Sequence, residues 1–165
     1  PTYISAPDRP SDHGWTAISA SKEHSCGIAG GVAYCWGQNT YGQLGIGNTV
    51  GQSENIQRRP KQINGSSGWT SISAGDQHTV GIRGGAAYAW GSLNNGRIGN
   101  GVSNSGRQWT QTAVSGGHSW QLISAGGSQT FGITTNGVGY AWGSNNHGQL
   151  GDGTTTSRST PGNQE

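Results

Sequence analysis

The chain has 165 residues, seven of them tryptophan and 32 of them glycine, with 10% charged residues and a net charge of +2. A disordered chain combines low hydrophobicity with high net charge and few aromatics; here charge is scarce and tryptophan plentiful, so the composition fits a glycine-punctuated, ordered β domain. No basic run or tail marks a nucleic-acid footprint, and no apolar stretch approaches the ~20 residues of a membrane span.

The chain opens on "PTYI" at 1–4, which reads as a short strand, followed by the insertion "SAPDRPSDHG" at 5–14. The sequence contains no methionine, so Pro1 is read as a start left by processing or excision, with any targeting segment removed. Trp15 then begins "WTAISAS", an alternating strand, and "HSCGIAGGVAYCWG" reads as strand, Gly-Gly turn, strand. In that hairpin Ala29 faces Val32, and Cys26 faces Cys35. Facing residues are close enough for a disulfide, and two small buried thiols would suit the same positions. A fourth strand, "PKQI" at 60–63, completes the unit.

The unit then repeats. Trp69 begins "WTSISAG" and Trp120 begins "WQLISAG", 54 and 51 residues after the preceding copy; Trp36, Trp90 and Trp142 recur in a Trp-Gly step. The second hairpin turns at Gly84-Gly85 and the third at Asn136-Gly137, and "QTAV" at 111–114 repeats the fourth strand. Periods of this size belong to propellers, solenoids and arrays. Short strands with no helical period select an all-β fold, a β-propeller of four-stranded blades, with three repeats in this chain. The expected division is 1–14 as N-terminal strand and insertion, 15–63, 64–114 and 115–165 as blades. The recurring Trp15, Trp69, Trp120, Trp36, Trp90 and Trp142 are read as structural, and Leu44, Ile98 and Leu150 as wedges between blades.

The segments "AYCWGQNTYGQLGIG", "ISAGDQHTVGI" and "AYAWGSNNHGQLGDGTTTSRSTP" resemble the regulator of chromosome condensation repeat family over nearly the whole chain. The resemblance implies a β-propeller of four-stranded blades, commonly seven-bladed. The cysteine pair beside the "GI…AY" wording is similar to bacterial and environmental secreted members, which implies an extracellular or cell-surface location.

Three blades are too few to close a propeller, which takes four to eight. "PTYI" occupies the repeat position of "PKQI", and the chain ends near Pro161, where the next copy of that strand is expected to begin. The N-terminal strand of one chain is therefore expected to complete the last blade of another, giving a dimer, a trimer or an open head-to-tail assembly; the alternative is that the chain is a piece of a longer propeller.

Candidate functional residues are those that differ between copies. Trp109 in "SGRQWTQ" stands apart, Tyr41 takes the position held by Asn95 and His147, and Arg58, Arg59, Arg97 and Arg107 supply non-repeating positive charge. Aromatic and Arg side chains anchor protein contacts, and aromatics with amide neighbours also suit a glycan. Catalysis and cofactors find no support: there is no GxSxG, the Gly-rich pieces do not open a helix, and Asp152 sits in a turn, where Asp caps backbone. His24 and His78 share one position with Gln129, and His13, His118 and His147 lack metal-site spacing. Asn64-Gly65-Ser66 forms a glycosylation sequon. The sequence thus points to a non-enzymatic scaffold for protein binding or self-assembly. A glycan-binding propeller is the alternative; nucleotide exchange and enzyme inhibition are further readings of the resemblance.

Overall fold

The computed structural model describes residues 14–47, 55–65 and 67–164. Twelve strands form three separate four-stranded antiparallel sheets. The first contains β1 (Trp15–Ala20), β2 (His24–Ala29), β3 (Val32–Gln38) and β4 (Ile56–Gln62). The second contains β5 (Trp69–Ala74), β6 (His78–Arg83), β7 (Ala86–Ser92) and β8 (Arg107–Ala113). The third contains β9 (Trp120–Ala125), β10 (Gln129–Thr134), β11 (Gly139–Gly143) and β12 (Arg158–Asn163). Each sheet is a meander in chain order, as hairpin connections dictate. The sheets stack in series: β5 packs on β1 and β2, and β9 packs on β5 and β6. The only helical element among the described residues is a 3-10 turn, Asn94–Gly96.

The repeated glycines have distinct tasks. A Cβ on Gly27, Gly81 or Gly132 would strike the ring of Trp15, Trp69 or Trp120 respectively, so glycine here lets each indole lie flat on its neighbouring strand. The glycine of each Trp-Gly step, Gly37, Gly91 and Gly143, has a φ of 104°, 114° and 101°, which side-chain-bearing residues rarely adopt.

The first two hairpins turn at Gly30-Gly31 and Gly84-Gly85, all four glycines at positive φ, the geometry of a two-residue primed turn. The third differs from the two-residue turn expected at Asn136-Gly137. Thr134 and Val138 pair through Thr134 N–H donating to the Val138 carbonyl, and Gly137 N–H donates to the Thr134 carbonyl at 2.9 Å. The loop is therefore three residues long, with only Gly137 at positive φ.

Cys26 and Cys35 face one another in register and are joined as a disulfide, with Cα atoms 4.1 Å apart. The same cross-strand positions in the other blades hold Val80 opposite Ala89 and Phe131 opposite Ala141. Two blades thus form without the bond, and it is a local staple. Closing a loop of this length contributes about 2–3 kcal/mol in the chain-entropy account. Reduction is expected to lower unfolding free energy by about that amount while circular dichroism stays native; Cys26→Val with Cys35→Ala, copying the second blade, is expected to recover part of it in denaturant titrations.

The third blade corrects one expectation. Pro161 lies inside β12, and Tyr140 pairs with Asn163 and Ala141 with Gly162, as Tyr34 pairs with Gln62 and Cys35 with Lys61 in the first blade. The fourth strand of the last blade is supplied by the chain itself, so no strand from another copy is needed there. Residues 1–4, expected to provide that strand, lie outside the described residues.

Candidate functional site

The blade junctions come first, because they hold the candidate site in place. In each blade a tryptophan on the first strand meets a tyrosine and a second tryptophan on the third: Trp69 lies 5.8 Å from Tyr88 and 5.7 Å from Trp90, and Trp120 lies 5.7 Å from both Tyr140 and Trp142, by ring centroids. The first blade repeats this with Trp15, Tyr34 and Trp36. Arg83 lies over Trp69 and Tyr88 in the second blade, and His118 takes that place against Trp120 and Tyr140 in the third. Leu44 joins the core that Trp69 and Trp90 share with Cys26 and Ile28; Ile98 joins the equivalent core around Trp120 and Trp142. Leu150, at the same repeat position, is also fully buried.

A polar chain runs through both junctions. Trp90 Nε1–H and the Thr79 hydroxyl both donate to the Gln43 carbonyl, at 2.9 and 2.7 Å. With its proton so used, Thr79 Oγ1 accepts from His24 Nε2–H at 2.8 Å. In the second junction Trp142 Nε1–H and the Thr130 hydroxyl donate to the Arg97 carbonyl, at 3.1 and 3.0 Å, and Thr130 Oγ1 accepts from His78 Nε2–H at 2.9 Å. Burial pushes the His24 pKa down to about 4 and the His78 pKa down to about 3, with Arg97 adding to the depression at His78. Both imidazoles are therefore neutral at pH 7, each with a buried Nδ1 that has no partner, and they are structural hydrogen bonders. A serine hydroxyl adds one more link per junction: Ala74 N–H donates to Ser19 Oγ at 3.0 Å and Ala125 N–H to Ser73 Oγ at 2.9 Å. The sequence reading missed the threonines and the carbonyls; the visible signal was the polar residue followed by Ser or Thr in "HS", "HT" and "QT".

Against this frame the structure brings three of the residues singled out as non-repeating into one cluster. Arg107 lies over the rings of both Tyr41 and Trp109, 5.9 Å from each centroid. Tyr41 comes from the loop after β3 in the first blade, Arg107 and Trp109 from β8 in the second. A Cβ on Gly42, at φ 80°, would lie 3.0 Å from the Trp109 Cα and 3.1 Å from its indole, so only glycine fits there, and Gly47 N–H donates to the Trp109 carbonyl at 3.1 Å. The loop is thereby tied to the neighbouring blade. Arg107 is exposed, and Tyr41 and Trp109 are half-buried, which leaves a cationic-aromatic surface on a fixed base.

The other arginines lie elsewhere. Arg58 and Arg59 are exposed on β4. Arg97 departs from its expected place among loop cations: it is 4% exposed, with Nε donating to the Asn94 carbonyl and Nη1 to Gln77 Oε1, and its own carbonyl serves the junction. Its charge is spent inside the protein. Asp152 accepts from Thr154, Asn145 and Arg158, and the Thr154 hydroxyl and amide hold its carboxyl down at about 2, so it caps its turn. Among the described residues no group of three or more His, Cys, Asp or Glu converges as metal ligands, and no helix is long and apolar enough to cross a membrane. The sequon at Asn64 falls partly outside the described residues.

The regulator of chromosome condensation repeat matches residues 30–82 and 136–163. The chain belongs to this repeat family. It is 31% identical over 132 residues to the E3 ubiquitin-protein ligase HERC2 of Homo sapiens, a match covering 79% of this chain and 3% of that protein. Human WBSCR16 superposes with a TM-score of 0.83 at 22% identity, over 98% of this chain and 42% of that one. Yeast RCC1 (Prp20), solved with Kap60 bound to it, superposes with a TM-score of 0.82 at 19% identity, over 94% and 38%. The three sheets are thus blades of a partial regulator-of-chromosome-condensation β-propeller. The chain spans less than half the length of each of these relatives, and the His–Thr–carbonyl–Trp junctions are the means by which its repeats are joined.

Proposed function

We propose that this chain is a non-enzymatic scaffold that binds a protein partner outside the cell through the Tyr41–Arg107–Trp109 cluster. The observation that carries this reading is the cluster itself. Two aromatic rings share one exposed guanidinium, at non-repeating positions, on a loop locked to the next blade. Aromatic and arginine side chains dominate the energetics of protein interfaces, and a pre-fixed surface loses little conformational freedom on binding. The repeat fold gives the same support: yeast RCC1 (Prp20) has Kap60 bound to it. An oxidising location is supported by the Cys26–Cys35 disulfide, since such bonds persist in secreted and surface proteins.

A photo-crosslinker placed at position 107 identifies the partner, and binding is then measured with the purified partner. Trp109→Ala is expected to weaken affinity by roughly thirtyfold, the hot-spot scale, whereas Arg59→Ala changes it little. An unchanged affinity for Trp109→Ala overturns the assignment of the site. A glycan array that lights up, with signal lost in Trp109→Ala, would replace the protein by a carbohydrate at the same surface.

A further inference from the structure

We propose that Asn64 is a self-modification site, at which the backbone nitrogen of Gly65 displaces the side-chain amide and a carboxylate results, selectively among the Asn-Gly pairs of the chain. The site uses other residues than the partner-binding surface at Tyr41 and stands independently of it.

The sequence holds four Asn-Gly pairs, at 64–65, 95–96, 100–101 and 136–137. In such a pair the glycine nitrogen, unscreened by any Cβ on its own residue, is placed to attack the Asn side-chain Cγ. The step needs a nitrogen that is not already donating, a side-chain amide free to turn onto it, and water.

Three of the pairs are denied these conditions. Gly96 N–H donates to the Leu93 carbonyl at 3.2 Å, Gly101 N–H to the Ser159 carbonyl at 2.8 Å and Gly137 N–H to the Thr134 carbonyl at 2.9 Å. Gly96 is also buried. Two of the side chains are held as well: Asn100 Oδ1 accepts from Val102 N–H, and Asn136 Oδ1 from the Thr134 hydroxyl.

The pair at 64–65 differs on every count. Neither the Gly65 nitrogen nor the Asn64 side chain has a hydrogen-bond partner among the described residues, and both residues are exposed. The flanks are nevertheless fixed. Ile63 N–H donates to the Ala33 carbonyl, Asn64 N–H to the Gly45 carbonyl and Gly68 N–H to the Gly31 carbonyl, so the unpartnered tip belongs to an anchored turn. The pair lines an open cavity with Lys61, Gln62 and Ile63, which admits water. Arg83 approaches from the second blade: a Cβ on Gly65 would lie 3.3 Å from its Nη1. A cation therefore stands where the nitrogen gives up its proton, and it favours the charged form.

The chemistry balances with water alone. The Gly65 nitrogen loses its proton to water and bonds to Asn64 Cγ; the Cγ–Nδ2 bond breaks, and Nδ2 leaves as ammonia. Water then opens the cyclic imide at either carbonyl, leaving aspartate, or isoaspartate where the main chain now runs through the side chain. Each event lowers the net charge of +2 by one and sets a carboxylate beside Lys61 and Arg83. Nδ2 is also the nitrogen that the sequon Asn64-Gly65-Ser66 offers to a glycan, so either modification forecloses the other.

The test incubates the purified chain at neutral pH in heavy-oxygen water, native and in urea, and follows label incorporation by peptide mapping. In the native chain the Asn64 peptide is expected to convert roughly tenfold faster than those carrying Asn95, Asn100 and Asn136, which must open locally before they react. In urea the four rates are expected to converge. Asn64→Gln, whose longer side chain disfavours the ring, is expected to keep the native circular dichroism and lose the conversion. A native chain in which Asn64 stays intact while the unfolded chain converts overturns the proposal. Similar native rates at all four pairs, or an Asn64→Gln peptide that still converts, overturn it as well.

Discussion

Trp90→Ala is expected to lower unfolding free energy by about 3–5 kcal/mol, the range for deleting a buried tryptophan. Trp90 has no exposed surface, packs with Leu44, Trp69 and Ile72, and donates from Nε1 to the Gln43 carbonyl. The substitution opens a cavity at a junction and removes one of two donors from a buried acceptor. Trp36→Ala is the internal control. It changes the same residue type at the same repeat position, yet Trp36 is only half-buried, so it is expected to cost less than half as much. Chemical denaturation of the two variants side by side measures the difference. Equal losses would show that the junction adds nothing to the stability of the second blade.

Acidification is expected to destabilise the chain between pH 6.5 and about 3. In the unfolded chain both histidines titrate near 6.5, while the folded values are about 4 for His24 and about 3 for His78. Within that window the unfolded state binds more protons, so stability rises with pH and falls on acidification. The contribution is fully present above pH 6.5 and disappears as pH drops through the folded values. For His24 alone the displacement corresponds to roughly 3 kcal/mol, a large share of the ~5–15 kcal/mol of a typical domain. His24→Gln with His78→Gln, which copies the Gln129 of the third repeat, is expected to flatten the unfolding free energy across this window, at the cost of two buried hydrogen bonds at neutral pH. Urea titrations at pH 7, 5.5 and 4.5 (settings of the experiment, chosen to sample the histidine range) test this. A double variant as acid-sensitive as the wild type would place the proton-linked step elsewhere.

The fold was legible because its main signal is repetition. Tryptophans at a fixed period, glycine turns and alternating strands recur in three copies, and each recurs for a packing reason visible in the structure, such as the indole lying on Gly81. Pro161 is the counterpart of Pro60, as the repeat spacing implies, but the few residues after it already pair with β11; the strand exchange fails because this backbone pairing does not depend on the side chains of the "PKQI" pattern. Arg97 was misjudged for a related reason. Its position varies between Gln43, Arg97 and Gln149, and variation suggested a surface; the working group there is the main-chain carbonyl, which no comparison of side chains displays. The Tyr41–Arg107–Trp109 cluster was half legible. Its members stood out by failing to repeat, but their meeting depends on the offset by which a loop of one blade reaches the fourth strand of the next.

The His–Thr–carbonyl–Trp links also bear on how such a chain can change over generations. Both junctions use equivalent positions, and the side chain at the carbonyl position is unconstrained by the link, since Gln43 and Arg97 serve alike. A duplicated stretch of one repeat therefore arrives with a matching neighbour on either side, and a deleted one leaves two ends that fit each other. The number of blades is then a variable that can be edited in single steps without redesigning any contact, whereas the hairpin disulfide, confined to one blade, can be gained or lost without touching a junction.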